Sequence, residues 1–190
     1  MIRITKEFFT LIFRLKGWKI NGVIPADLKK CVLIAAPHTS NWDFIYTLAA
    51  FNIAKVNMNY LAKKELFKFP LNILLKATGA IPVIRSKHQN LVENIIQKFK
   101  DSEELILMIP AEGTRKLVEK WKSGFYYAAI GANVPIVLGY LDYSKKVAGF
   151  GKVIYPTGDK AIDMATIKAF YKDKIGKNPQ WFSADAIKID

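Results

Sequence analysis

Short runs of continuous apolar residues alternate along this chain with longer segments whose apolar positions recur every three or four residues. The runs Cys31–Ala36, Met58–Ala62, Ala80–Ile84, Leu105–Ile109, Pro135–Leu141 and Val147–Tyr155 are bounded by polar or turn-forming residues and read as strands. Between them, Asn41–Lys55, Gln89–Lys100, a segment around Lys122–Ala132 and Ala161–Ile175 carry the helical rhythm. In the second of these Leu91, Val92, Ile95, Ile96 and Phe99 fall on one inward face. Lys64–Thr78 has the same rhythm but is broken near Pro70, whose ring removes a backbone donor. The tail beyond residue 175 has no clear pattern. Strands alternating with helices predict a single α/β domain over residues 1–190, with a mostly parallel central sheet flanked by helices. Such sheets place ligands beyond the carboxyl ends of their strands.

Residues 2–16 form one more amphipathic helix. Phe8, Phe9, Leu11, Ile12, Phe13 and Leu15 make a wide apolar face, flanked by Arg3, Lys6, Arg14 and Lys16 and followed by Trp18 and Lys19. Two readings fit this N-terminal helix: packing on the core, or an interfacial helix over residues 1–18. In the latter, Phe side chains enter the acyl region and cations reach lipid phosphates. No run approaches the roughly 18 apolar residues of a membrane span. Phe8–Phe13 is closed by Arg14 without a small-residue cleavage site, so a cleaved leader is not expected.

Charge narrows the class of partner. The chain has 29 Lys and Arg against 16 Asp and Glu, a net charge of +13 that favours nucleic acid, anionic lipid or an acidic carrier. The excess is uneven: residues 1–80 hold 12 basic and 4 acidic groups, residues 81–190 hold 17 and 12. Cys31 is the one cysteine, which excludes an intrachain disulfide or a Cys-based zinc site and fits a reducing interior such as the cytosol. No nucleic-acid-binding motif, metal cluster or nucleotide-binding glycine fingerprint is evident, so no cofactor or metal is expected.

The chemistry concentrates just past two strand ends. Of the two histidines, His88 lies among Lys87, Gln89 and Asn90 and reads as a surface residue. His38 directly follows the run Cys31–Ala36, on a strand-to-helix turn, with Asp43 five residues on in the first helical turn. A carboxylate folded back to Nδ1 would fix the imidazole tautomer and leave Nε2 to take a proton from a hydroxyl. Ser40 and Asp43 equally match a capping box, in which both side chains satisfy free amides. After Leu105–Ile109 come Glu112, Gly113, Thr114 and Arg115, and after Ala80–Ile84 comes Arg85. Two guanidinium groups beside a strand-end His suit a phosphorylated alcohol. A surface charge at Arg85 and an internal Glu112–Arg115 ion pair fit the same residues.

Taken in order, these blocks resemble the glycerophospholipid acyltransferase family, above all the 1-acylglycerol-3-phosphate acyltransferases. His38 and Asp43 match its His-x4-Asp block, Gly79–Arg85 its Gly-to-Arg block, Glu112–Arg115 its Glu-Gly-Thr-Arg block and Val134–Val137 its Val-Pro-Ile strand. Ala62–Leu66 and Trp121–Phe125 are also similar. The resemblance covers residues 33–138, the motif-bearing core. Departures are Pro37 where the family commonly has Asn, Ala111 between Pro110 and Glu112, Lys116 for Ser and Leu138 for a second Pro.

The resemblance implies transfer of a fatty acyl group from acyl-CoA or acyl-carrier protein to the free hydroxyl of 1-acylglycerol-3-phosphate, making phosphatidic acid. It implies His38 as base, Asp43 as its partner, and Arg85, Glu112, Gly113, Thr114 and Arg115 at the acceptor. The implied partners are a lysophospholipid, the thioester donor and an anionic membrane surface, with the protein peripheral on the inner face of the cell membrane. Another lysolipid acceptor within the same fold, and a non-catalytic basic membrane- or nucleic-acid-binding domain, are the alternatives.

Overall fold

The computed structural model describes residues 2–83 and 91–187, with side chains from residue 7 onward. The chain runs α1 (Ile2–Leu15), β1 (Lys19–Asn21), β2 (Lys30–Ala36), α2 (Trp42–Ile53), β3 (Met58–Lys63), α3 (Leu71–Ala77) and β4 (Ala80–Val83). It continues through α4 (Leu91–Asp101), β5 (Leu105–Ile109), α5 (Gly124–Ala132), β6 (Ile136–Asp142), β7 (Val147–Ile154) and α6 (Lys160–Tyr171). Tight 3-10 turns occupy Lys64–Leu66, Pro179–Trp181 and Ala184–Ala186.

The strands form one sheet in the order β1-β7-β6-β2-β5-β3-β4, as a mostly parallel α/β fold. Among the described residues only β6 and β7 pair antiparallel. β2, buried along most of its length, is central and pairs parallel with both β5 and β6. Its alternation divides the core. Val32, Ile34 and Ala36 face α4, α5 and α6 with Phe99, Phe125 and Tyr171, while Cys31 and Leu33 face α2 with Leu48 and Phe51. The steps β2 to β3 and β3 to β4 run the same way across the sheet. Right-handed connections therefore put α2 and α3 on one face, and the return steps put α4 and α5 on the other. α1 lies on α2, with Phe13 buried against Trp18 and Tyr46.

Some boundaries differ from expectation for local reasons. β1 escapes sequence reading because three residues with a single apolar side chain give no periodic signal. The expected helix over Lys64–Thr78 splits at Pro70 into a 3-10 turn and the short α3. α5 begins at Gly124, and α6 stops at Tyr171 because Ile175 instead gives its carbonyl to the Tyr143 amide. Ile84 and the first residues of the Gln89–Lys100 helix lie outside the described residues.

Candidate functional site

Residues 37–41 connect the carboxyl end of β2 to α2, and the turn is held by its own helix. The Asp43 Oδ2 accepts hydrogen bonds from the Thr39 and Ser40 amides, each at 2.8 Å, and Ser40 Oγ accepts from the Trp42 amide at 3.2 Å. The Ser40 bond satisfies the first amide of α2 and the Asp43 bonds satisfy amides of the turn before it, while the N-cap Asn41 makes no side-chain cap bond. The same Oδ2 lies 3.2 Å from His38 Nδ1. Turn closure and histidine pairing are thus one arrangement: the carboxylate that closes the turn also orients the imidazole. His38 keeps partial exposure and Asp43 is buried.

Tyr143, in the turn between β6 and β7, is a partner that the sequence did not disclose. Its hydroxyl donates to Asp43 Oδ1 at 2.6 Å. Burial, and then the Asp43 carboxylate, push its phenol well above the usual value, so it remains a donor. The ring stands edge-on to Trp18 at 4.8 Å and close to Tyr46 at 5.9 Å, which fixes it. With His38 as the base that the resemblance implies, Tyr143 would be a positioning residue acting through Asp43. Tyr143→Phe should lower kcat roughly tenfold, the scale of one hydrogen bond to a charged group, with KM for both substrates unchanged. An unchanged kcat would remove Tyr143 from the site.

Glu112 supports the turn from the opposite side. Its Oε1 accepts from the His38 amide at 2.8 Å, it is 2% exposed, and it does not line the adjoining cavity. Glu112, expected at the acceptor, is tied through Oε1 to the backbone of His38. Burial pushes its carboxyl up to about 8; the His38 N–H bond pulls it down and Asp43 adds to the rise. Oε2 has no hydrogen-bond partner among the described residues. A folded-state value above the unfolded 4.5 means the folded protein binds the extra proton. Glu112 thus disfavours folding increasingly as pH rises from about 4.5 to about 8. Glu112→Gln should be progressively more stable relative to wild type across that window in denaturant titrations. A difference independent of pH would contradict the assignment.

Of the other expected residues, Gly113 and Arg115 line the cavity, whereas Thr114 is exposed and its Oγ1 accepts from the Lys116 amide at 3.4 Å. Gly113 has φ +69°, and a Cβ there would strike the Lys122 side chain, so glycine both makes the turn and lets Lys122 pass. Lys122 also lines the cavity, giving a second cation that sequence reading did not single out. Arg85 and His88 lie outside the described residues.

The cavity measures about 470 Å3 and opens where His38, Ser40, Gly113, Arg115 and Lys122 converge. It continues between α2 and the sheet, walled by Phe44, Thr47 and Phe51 from the helix and by Leu33, Gly139 and Phe150 from strands. Its volume is that of an ordinary ligand site, roughly 300–1,000 Å3. Polar groups stand at the mouth and apolar ones behind, which suits a molecule with a reactive polar end and a long greasy tail.

The far end of the chain also reaches the turn. Asn178 donates from Nδ2 to the Thr39 carbonyl at 2.7 Å and from its amide to Thr39 Oγ1 at 3.2 Å. A Cβ at Gly176 would meet Thr39 Oγ1 and Pro37, so the stretch of chain before Asn178 lies directly on the turn.

A model of the Acyltransferase family matches residues 19–138, which include every block above up to β6. The 1-acyl-sn-glycerol-3-phosphate acyltransferase of Haemophilus influenzae is 28% identical over 145 residues, covering 72% of this chain and 59% of that protein. A probable 1-acyl-sn-glycerol-3-phosphate acyltransferase of Mycoplasma pneumoniae is 28% identical over 152 residues, covering 73% and 57%. The chain therefore spans under three-fifths of the length of either relative. Its fold matches the crystal structure of the 1-acyl-sn-glycerophosphate acyltransferase from Thermotoga maritima with TM-score 0.56 and 16% identity, over 83% of this chain and 70% of that one. With the His-x4-Asp turn, the Glu-Gly-Thr-Arg turn and strands β1 to β5 inside the matched span, the chain belongs to the acyltransferase family.

Proposed function

We propose that the protein transfers a fatty acyl group from a thioester, acyl-CoA or acyl-carrier protein, to the free hydroxyl of 1-acylglycerol-3-phosphate, yielding phosphatidic acid for phospholipid biosynthesis. The observation that carries this reading is His38 Nδ1 held 3.2 Å from Asp43 at the mouth of an apolar cavity. With Nδ1 committed to the carboxylate, Nε2 removes the acceptor hydroxyl proton as that oxygen attacks the thioester carbonyl. A C–O bond forms, the tetrahedral intermediate collapses with cleavage of the C–S bond, and His38 returns its proton to the leaving thiolate. The Asp43 charge stabilises the transient imidazolium. No covalent acyl-enzyme is required. Arg115 and Lys122 at the mouth meet the acceptor phosphate, and the cavity behind them houses an acyl chain. Arg85 belongs to the same phosphate site by its place in the Gly79–Arg85 block.

The acceptor resides in a bilayer, and α1 is suited to that surface. Phe13 is buried, but Phe8, Leu11 and Leu15 are each more than half exposed along one helical stripe. The two readings of this helix are therefore divided between its faces: one packs on α2 and the other is free for lipid. No helix among the described residues is long and apolar enough to cross a membrane. Peripheral attachment to the inner face of the cell membrane follows as part of the proposal.

The direct test is thiol release from a long-chain acyl-CoA, and separately from acyl-carrier protein, with and without 1-acylglycerol-3-phosphate. Acceptor-dependent release with formation of phosphatidic acid is expected. Release only with a different lysolipid would reassign the acceptor, and none with any lysolipid would sink the acyltransferase reading.

A further inference from the structure

A second apolar surface stands apart from α1, between β3 and β4. Phe69 is 82% exposed, and Leu66, Leu71, Ile73 and Leu74 are each 41–45% exposed. Five large apolar side chains exposed within one short stretch of chain are an unusual concentration for a surface in water. Basic residues frame it: residues 63–76 contain Lys63, Lys64, Lys68 and Lys76 against Glu65 alone. Lysines interspersed with exposed apolar side chains are complementary to anionic headgroups over acyl chains. An isologous contact with a second copy would instead bring these lysines face to face, in a chain already at +13.

Position gives the surface its purpose. β3 ends at Lys63 and β4 at Val83, which pair in register, and Leu61 and Val83 line the cavity. The chain thus leaves β3 at the carboxyl edge of the sheet, the edge at which His38 follows β2, and β4 is the outermost strand. α3 shares a sheet face with α2, on which α1 lies.

We propose that Leu66–Leu74 is a lipid-docking surface. Its apolar side chains enter the acyl region of an anionic bilayer beside the cavity mouth, while Lys64, Lys68 and Lys76 meet lipid phosphates. With the exposed stripe of α1, it gives two contacts on either side of α2. Two contacts fix orientation where one helix would leave the protein free to roll, so the mouth is presented to the bilayer. The inference deepens the lipid-acceptor reading, on which its catalytic consequence rests.

The 190-residue chain is tested with vesicles of phosphatidylglycerol and phosphatidylcholine. Phe69→Glu, at a solvent-exposed position, should keep the fold and lower partitioning by roughly tenfold, the scale of losing one buried aromatic contact. Phe8→Glu on α1 serves as the comparison. A dye on Phe69→Cys reports insertion directly, because Cys31 is buried with its thiol pushed up to about 12 and does not compete. Its emission should shift to the blue on adding these vesicles, and not on raising protein concentration without lipid. Unchanged partitioning of Phe69→Glu, or emission that ignores vesicles to which the protein is bound, would overturn the proposal. So would a concentration-dependent shift without lipid, which would assign the surface to a second copy. Thiol release with a short-chain, water-soluble lysophosphatidate keeps the two readings separate. Phe69→Glu should match wild type there and fall behind it on vesicles. Absence of turnover in both proteins would count against the acyltransferase reading and leave the vesicle result standing.

Discussion

His38→Ala should reduce acceptor-dependent thiol release by roughly 10²–10⁴-fold, the contribution of a positioned general acid-base group. The loss is expected in kcat, because the imidazole acts on the proton in flight and holds neither the phosphate nor the acyl chain. Folding should hardly change: the side chain is partly exposed and pairs with Asp43, which retains its other partners. A thermal transition close to wild type would show that the loss is chemical. Turnover within about threefold of wild type in such a folded variant would mean that another group takes the proton, since so small a loss falls short of any general acid-base contribution.

Asp43→Asn should cost roughly as much, 10²–10⁴-fold in kcat, for a different reason. Oδ2 faces two backbone N–H groups at 2.8 Å, so the amide oxygen must occupy that place and the amide NH2 must turn to Tyr143. The Tyr143 hydroxyl that donates to Oδ1 in wild type can rotate and accept instead. The turn is thereby preserved, the acceptor near His38 Nδ1 survives, and only the negative charge is gone. The substitution therefore separates charge from geometry. Normal stability with a large loss of kcat locates the effect in the imidazolium; loss of both would make Asp43 chiefly a structural cap. Retained activity would leave the base without a partner.

Much of this arrangement was legible because its signals are local. The run Cys31–Ala36 needs burial on both faces, which only a central strand provides, and a His directly after it stands at the ligand edge of the sheet. The spacing of Ser40, Asp43 and His38 lets one carboxylate accept from the Ser40 amide and lie 3.2 Å from His38 Nδ1, although the helix N-cap is Asn41. Glu112 shows where local reasoning stops. In sequence it neighbours Arg115 and invites an ion pair or a substrate contact. In the sheet, Ile34 lies opposite Ile109, so four residues on from one strand and three from the other bring His38 and Glu112 level. Nothing short of the β2–β5 register reveals that. Tyr143 is further removed still, 100 residues from the carboxylate it holds, in a turn whose polar composition looks like any other. Lys122 became visible only through the glycine that makes room for it.

The Asn178–Thr39 clasp also bears on how this enzyme type can be divided. The family pattern ends near β6, yet the turn carrying His38 is hydrogen-bonded to chain 139 positions downstream of Thr39, well outside that pattern. A minimal catalytic module cut at the motif boundary would carry every signature residue and lack its latch.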